Sequence, residues 1–207
     1  MKIESLAASA DRAGRYLLRF ADGETMRLYR QTIEDFGLYA GLELTDEQMK
    51  RLHESAGKMS AKMRAVRIIS ASSVSKRDLE QRLQQKGEDA AQAKEAVAWL
   101  SDLNLIDDRR TAEQIVSRCA AKGYGIARAK QALFEKKIPK QYWDEALADY
   151  PDQTDSIAAF LRSRLKGSFD ERDVKRAADA MMRRGHSWSE IREALNRLEK
   201  DTEFLED

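Results

Sequence analysis

Histidine, cysteine and paired carboxylates are the side chains best suited to catalysis or metal binding, and this chain uses them sparingly. His53 and His186 are the only histidines, and no pattern of cysteines or carboxylates around them suggests a metal site. The single cysteine, Cys119, falls on an apolar helical stripe, where a small core residue is expected. Asp107 and Asp108 stand where a helix is predicted to begin, and their charges suit a helix N-terminus. The sequence predicts a protein that is not an enzyme and holds no metal.

Phosphate-binding motifs are also missing from the sequence. No glycine-rich loop of the Walker type occurs, so we expect neither ATP binding nor any other cofactor. His186 lies in the middle of a turn between two predicted helices, and we interpret it as a structural residue. Trp99, Trp143 and Trp188 lie on predicted helices at repeat-related positions, which favours packing over base stacking.

The composition favours a helical, soluble protein. Of the 207 residues, 42% are hydrophobic and 35% are charged, and only two prolines and ten glycines interrupt the chain. One cysteine cannot form an intramolecular disulfide. No apolar run approaches the roughly 20 residues that span a bilayer, and the first residues lack the apolar core of a signal peptide. We therefore expect a cytoplasmic protein without a membrane partner.

Charge is distributed in bands, although the net charge is only +1. Residues 58–86 contain eight basic and two acidic residues, and residues 118–140 contain seven basic and one acidic. Residues 144–155 contain five acids and no base, and residues 203–207 form an acidic tail. This banding suits a partner of mixed charge or one that carries phosphates. For any single charge, a solvated helix face is the alternative.

The N-terminal segment differs from the rest of the chain. Apolar residues alternate on both sides of an Asp-Gly pair at residues 22–23, which is a strong signal for a β-hairpin. A short helix over residues 31–36 is predicted next, and Thr45 with Gln48 fits a capping box that opens another helix. The sequence predicts a small hairpin-plus-helix module over residues 1–59.

Three later turns share one pattern, at residues 73–75, 123–125 and 185–187. In the second and third turns, Gly123 and Gly185 suit the left-handed position that ends a helix. The last residue of each turn suits the N-cap of the next helix. This recurrence indicates that the same local structure is used three times.

The residues after each turn also match. Ser187 with Glu190 forms a capping box, and Ser75 with Asp78 forms a weaker one. The apolar positions that follow the three turns correspond in order: Leu79 and Leu83, Ala129 and Leu133, Ile191 and Leu195. Three matching copies predict an internal repeat whose unit holds three short helices. We predict a mainly α fold, with repeats over residues 60–104, 105–150 and 151–207, the last including the acidic tail.

Four segments, in this order, resemble the RecX family, which regulates the RecA recombinase. Residues 75–87 resemble that family's first-repeat signature, and residues 103–113 and 118–125 resemble its next segments. Residues 184–191 resemble its third-repeat signature, so the resemblance covers roughly residues 63–198. The ordered set is more specific than any single motif.

The chain departs from the family pattern at four positions. Thr111 and His186 stand where the family favours an aromatic residue, Ala129 where isoleucine or leucine is usual, and Lys137 where glycine is frequent. These departures weaken the match of the second repeat and leave the order of the motifs intact.

The resemblance implies a curved, elongated array of about three tandem three-helix repeats behind the N-terminal module. It also implies binding along the groove of the RecA–single-stranded DNA filament, with inhibition of ATPase and strand-exchange activity. The implied partners are the RecA filament and the single-stranded DNA within it, and the expected state is a monomer.

Basic residues on the helices that flank the turns are candidates for contacts to RecA or DNA. They are Arg77, Arg82, Lys86, Arg110, Arg118, Lys122, Arg128 and Lys130. For each of them, a solvated face or a local ion pair is the alternative. Two other functions also stay open. Tightly joined helix pairs can mimic helix-turn-helix units, which would suit an autonomous DNA-binding protein, and a protein-only helical adaptor would show no dependence on DNA.

Overall fold

The computed structural model describes residues 1–10, 14–166 and 169–206, with side chains up to residue 200. The chain divides into two compact units, Met1–Ile106 and Asp107–Asp207. Over the described residues, no helix is long and apolar enough to cross a lipid bilayer. The side chains of the predicted acidic tail lie outside the described residues.

The first unit begins with a three-stranded antiparallel sheet in the order β1-β2-β3. Strands β2 (Arg15–Phe20) and β3 (Thr25–Tyr29) form the predicted hairpin, in which Leu18 pairs with Met26. The sequence does not predict strand β1 (Ile3–Ala8), because Ile3 is its only buried residue and the segment lacks an alternation of apolar and polar residues.

Two helices cover this sheet. Helix α1 (Arg30–Phe36) ends at Gly37 in the left-handed conformation. Helix α2 (Asp46–Ala71) opens with the predicted capping box, in which the Gln48 amide donates to Thr45 Oγ1 at 3.2 Å. The buried core of this module consists of Ile3, Leu18, Phe20, Leu28, Leu38, Leu44, Met49 and Leu52.

Helix α2 belongs to two cores. Its first half contributes Met49 and Leu52 to the core beneath the sheet, whereas Ala61 and Ala65 belong to the core of the first repeat. The helix is therefore continuous across residues 59 and 60, where the sequence suggests a change of module.

The first repeat combines the end of α2 with α3 (Lys76–Gln85) and α4 (Ala90–Asp102). Ser75 caps α3 by accepting a hydrogen bond from the Asp78 amide at 3.1 Å, as predicted. From α3 and α4, the fully buried side chains at the centre of this repeat are Leu79, Leu83, Ala93, Ala96 and Leu100. Trp99 packs half-buried against them, which confirms its assignment as a packing residue.

The second unit begins with the second repeat, α5 (Asp108–Ala121), α6 (Ile126–Glu135) and, after a 3-10 turn at Lys140–Tyr142, α7 (Trp143–Leu147). Asp107 caps α5, because its carboxylate accepts from the amides of Arg109 and Arg110. Cys119 is buried in the core, and burial raises the pKa of its thiol. Both residues therefore have the structural roles that the sequence predicts.

The third repeat consists of α8 (Thr154–Leu165), α9 (Glu171–Arg183) and α10 (Trp188–Glu206). Its core contains Ile157, Leu161, Met181, Ile191 and Ala194. The turn at residues 185–187 joins the second and third helices of this group, whereas the two earlier turns join the first and second. The predicted fold class, helical repeats behind a small β module, is confirmed.

Candidate partner-binding surfaces

Three of the predicted contact residues lie on α3 in the first unit or at its C-cap, Lys86. The Arg82 guanidinium lies 2.9 Å from the Asp78 carboxylate, and this i, i+4 ion pair is half-buried. Arg77 and Lys86 are exposed, at the start and the end of the helix. Arg82 is therefore held locally, and Arg77 and Lys86 are the more available cations.

Three more predicted residues form a row on α5 of the second unit and its C-cap, Lys122. Arg110, Gln114, Arg118 and Lys122 follow one another at intervals of one turn, about 6 Å along the helix axis, and all four are exposed. Arg118 donates to Gln114 Oε1 at 3.3 Å. The opposite face of α5 is fixed by the buried residues Ala112, Ile115, Val116 and Cys119. We call Arg110, Arg118 and Lys122 the α5 ridge.

The last two predicted residues lie on α6 and differ in their surroundings. Arg128 is half-buried, and its guanidinium lies 3.2 Å from the Glu135 carboxylate. Lys130 is exposed and forms no ion pair with any described residue. Arg128 is thus held by a local ion pair, whereas Lys130 is available to a partner.

Lys130 lies between two exposed apolar residues that the sequence reasoning missed. Ile126 precedes it by one turn and is 39% exposed, and Phe134 follows it by one turn and is 69% exposed. The sequence contains a signal for this second apolar face, because Ala129 and Leu133 already supply the buried stripe of the helix and leave Ile126 and Phe134 without a place in it. We call Ile126, Lys130 and Phe134 the α6 row.

The tryptophans do not share one role. The indole of Trp143 is half-buried and donates to the Ile138 carbonyl oxygen at 3.0 Å, as expected of a packing residue. Trp188 is 52% exposed at the first position of α10. The prediction that Trp188 is a packing residue is therefore wrong, because this first residue of the helix lies outside the buried stripe that Ile191 and Leu195 form.

The two glycine turns of the second unit contact each other. The Gly125 amide donates to the Arg184 carbonyl at 3.0 Å, and the Ala127 amide donates to the Gly185 carbonyl at 3.3 Å. In the other direction, Arg184 Nη2 donates to the Lys122 carbonyl at 2.7 Å. These contacts join the second repeat to the third, and we call residues 122–128 with 184–186 the turn joint.

The turn joint requires glycine at two positions. A Cβ atom on Gly125 would lie 2.0 Å from the Gly185 carbonyl oxygen. A Cβ atom on Gly185 would lie 2.4 Å from the Arg128 backbone nitrogen, and Gly185 also has a left-handed φ of 91°. Any side chain at either position would separate the two turns.

Arg184 and His186 complete the turn joint. The Arg184 guanidinium lies 5.3 Å from the ring centre of Tyr124 and 5.5 Å from that of Phe160, within cation–π range. His186 is 4% exposed, and its Nε2 lies 3.0 Å from the Gly123 carbonyl oxygen. A carbonyl can only accept, so Nε2 carries the proton. The structural assignment of His186 is confirmed.

Tyr150 supports the same turn and makes its stability depend on pH. Its hydroxyl donates to the Tyr124 carbonyl at 2.6 Å, and burial raises its pKa to about 12. Because the ordinary pKa is 10.0, the folded state binds this proton more tightly than the unfolded state between pH 10 and 12. The stabilisation from the protonated phenol is complete below pH 10 and is lost as the pH rises to 12.

We expect Tyr150→Phe to lower the free energy of unfolding at pH 8 by about 1 kcal/mol, the usual contribution of one hydrogen bond. Urea denaturation of both proteins from pH 8 to 12 measures this difference. The advantage of the native protein should shrink between pH 10 and 12. A constant difference over that range would show that Tyr150 does not titrate with a raised pKa.

Within the described part of the chain, no group of three or more histidines, cysteines and carboxylates is placed to hold a metal ion. What the second unit offers instead is a ridge of cations on α5 and a mixed apolar and basic row on α6. Both suit recognition of a partner.

The chain is similar in sequence to known proteins of one family. A family model described as "RecX, second three-helix domain" matches residues 107–147, the segment that forms α5 to α7. The regulatory protein RecX of Chlorobaculum tepidum is 31% identical over 141 residues, which cover 67% of this chain and 88% of that protein. The regulatory protein RecX of Vibrio campbellii is 28% identical over 146 residues, covering 69% and 94%.

Two solved structures share the fold. A crystal structure of regulatory protein RecX has a TM-score of 0.63 at 19% identity, covering 93% of this chain and 98% of the other. RecX from Lactobacillus salivarius has a TM-score of 0.60 at 20% identity, covering 70% and 98%. The three-helix repeats and the sequence relatives agree, and this chain belongs to the RecX family of regulatory proteins.

Proposed function

We propose that this protein binds the filament that RecA forms on single-stranded DNA and inhibits its ATP hydrolysis and strand exchange. In this role it acts in the cytoplasm as a monomer, in recombination, DNA repair and the SOS response. Membership of a family of regulatory proteins supports the regulatory part of this proposal. Exposed cations on the surface of the second unit support a partner that carries phosphates.

The α5 ridge is the observation that carries the proposal. Its three cations are exposed, and Arg110 and Lys122 form no ion pair with any described residue. A row of cations along one helix face is complementary to a strand of nucleic acid, which carries one phosphate charge per nucleotide. Such contacts give affinity without base specificity, as a regulator of a filament on any sequence requires.

A nucleoprotein filament also presents protein, and the charge bands suit such a mixed partner. Candidate contacts outside the α5 ridge are the exposed cations Arg77, Lys86 and Lys130, which form no ion pair with any described residue. A net charge of +1 gives little general attraction to nucleic acid, so tight binding to naked DNA is not expected. We therefore favour a filament regulator over an autonomous DNA-binding protein.

The test is the rate of RecA ATP hydrolysis on single-stranded DNA, with and without this protein. We expect inhibition at concentrations below that of RecA. No change in rate over a tenfold range of concentration contradicts the proposal. Binding to naked oligonucleotides at physiological salt is measured in parallel, and tight binding there without inhibition of RecA would identify an autonomous DNA-binding protein instead.

A further inference from the structure

We propose that the α6 row is a protein-docking ridge, which inserts into an apolar groove of a protein subunit with a carboxylate opposite Lys130. This inference rests on the proposed function and deepens it. The α5 ridge meets phosphates, whereas the α6 row meets protein, so that two neighbouring helices of one repeat recognise the two components of a nucleoprotein partner.

Helix α6 exposes apolar surface that its packing in the repeat does not need. Ala129 and Leu133 are fully buried and supply the contacts that hold α6 in its repeat. Phe134 is nevertheless 69% exposed, the highest value among the large apolar side chains that the structure shows as exposed. With Ile126 at the other end of the row, about 12 Å away along the axis, it gives α6 a second apolar face.

The spacing of the α6 row is that of a helix that binds in a groove. Ile126, Lys130 and Phe134 occupy positions i, i+4 and i+8, so an apolar side chain stands one turn on each side of a lysine. A helix that binds in a groove is read through anchors at such one-turn intervals. A single strand of nucleic acid is a poorer occupant, because base stacking needs flat rings and isoleucine has none.

The charge of the α6 row indicates the chemistry of its partner. Glu135 is the only carboxylate on α6, and it is already engaged by Arg128 at 3.2 Å and by Gln131 at 3.0 Å. Lys130 has no ion pair with any described residue, so the middle of the row is a cation without a local counter-charge. A complementary groove must therefore place a carboxylate at its centre and apolar side chains at both ends.

The experiment compares the double substitution Ile126→Ala and Phe134→Ala with Met182→Ala. Met182 lies on α9 of the same unit and is 51% exposed, so it controls for the loss of exposed apolar surface as such. Affinity for RecA filaments on poly(dT) is measured over a range of salt concentrations, and circular dichroism checks that each variant is folded. A third variant, Lys130→Glu, tests the central charge.

We expect the double variant to bind the filament at least tenfold more weakly at every salt concentration, since two anchor residues are lost. The slope of log affinity against log salt should stay unchanged, because no phosphate contact is removed. Lys130→Glu should also weaken binding at least tenfold, as like charges would then face each other. Met182→Ala should bind within twofold of the native protein.

Native-like affinity of the double variant, in a protein that still inhibits RecA, overturns this inference alone. A native protein that neither binds nor inhibits the filament overturns the proposed function instead. Weaker binding of the double variant to naked poly(dT) would assign the row to base contacts. Loss of a dimer in analytical ultracentrifugation, with filament binding intact, would assign it to a second copy of this chain.

Discussion

Replacing Gly125 by alanine should lower the free energy of unfolding by about 3 to 5 kcal/mol, the range of the most damaging single substitutions. The added Cβ would lie 2.0 Å from the Gly185 carbonyl oxygen, far inside van der Waals contact. The two turns must then move apart, and the hydrogen bond from Gly125 to Arg184 and that from Ala127 to Gly185 are lost with them. Urea denaturation followed by circular dichroism measures the loss.

Gly123→Ala is the matched control for this substitution. Gly123 has a left-handed φ of 62°, but a Cβ there would meet nothing closer than 3.7 Å. Its cost is therefore the backbone strain of one non-glycine residue in that conformation, about 1 to 2 kcal/mol. Gly125 has an ordinary φ of −76°, so its cost is steric alone. Equal losses in the two variants would show that the turns do not approach each other closely.

Neutralising the α5 ridge should produce the largest change in binding. We expect the triple substitution Arg110→Gln, Arg118→Gln and Lys122→Gln to weaken binding to RecA filaments on single-stranded DNA by about tenfold to a thousandfold at low salt. Each phosphate contact on a single strand contributes about 0.7 to the slope of log affinity against log salt, so three contacts contribute about 2. Fluorescence anisotropy at several salt concentrations measures both quantities.

The control for this variant removes the same charge elsewhere in the second unit. Arg172, Lys175 and Arg192 are exposed on α9 and α10, and none forms an ion pair within the described residues. Their replacement by glutamine should change the affinity for the filament only slightly, and most of the slope of log affinity against log salt should remain. If both triple variants lose the same affinity, net charge rather than the α5 ridge determines binding.

The local structure of the turns could be predicted from the sequence because it depends on neighbouring residues. Gly123 and Gly185 have the left-handed φ that a helix end favours, at 62° and 91°. Ser187 and Glu190 form both hydrogen bonds of the capping box. Residue type alone sets these conformations, and the repeat follows from their recurrence. The module boundary at residues 59–60 and the set of partner contacts stay predictions.

Other features depend on contacts that sequence periodicity does not report. Strand β1 is held by pairing with β2, and most of its side chains are exposed, so no alternation marks it. The position of Trp188 in the repeat predicts a packing residue, although its helix buries a different stripe. The turn joint pairs residues far apart in sequence, and Gly125 carries no sign that another backbone approaches it.

The apolar residues of α6 lie on two faces, and only one of these faces belongs to the core. Ile126 and Phe134 share a helix with Ala129 and Leu133, and composition cannot separate the two pairs. Helical geometry separates them, because the small buried stripe is complete without the larger residues. Surplus apolar residues one turn on each side of a charge are the feature that sequence reasoning could have used.

The turn joint also bears on how this part of the chain folds. It links the Lys122 carbonyl to the side chain of Arg184, 62 residues further along the chain, so the intervening chain must be closed into a loop before the contact can form. In a tandem repeat protein, the interface between neighbouring repeats couples their stabilities, so it determines whether the repeats unfold one at a time or together. The second and third repeats should therefore exchange their core amide hydrogens as one cooperative block. A partner that rigidifies α6 would slow exchange in α10 through the same few hydrogen bonds.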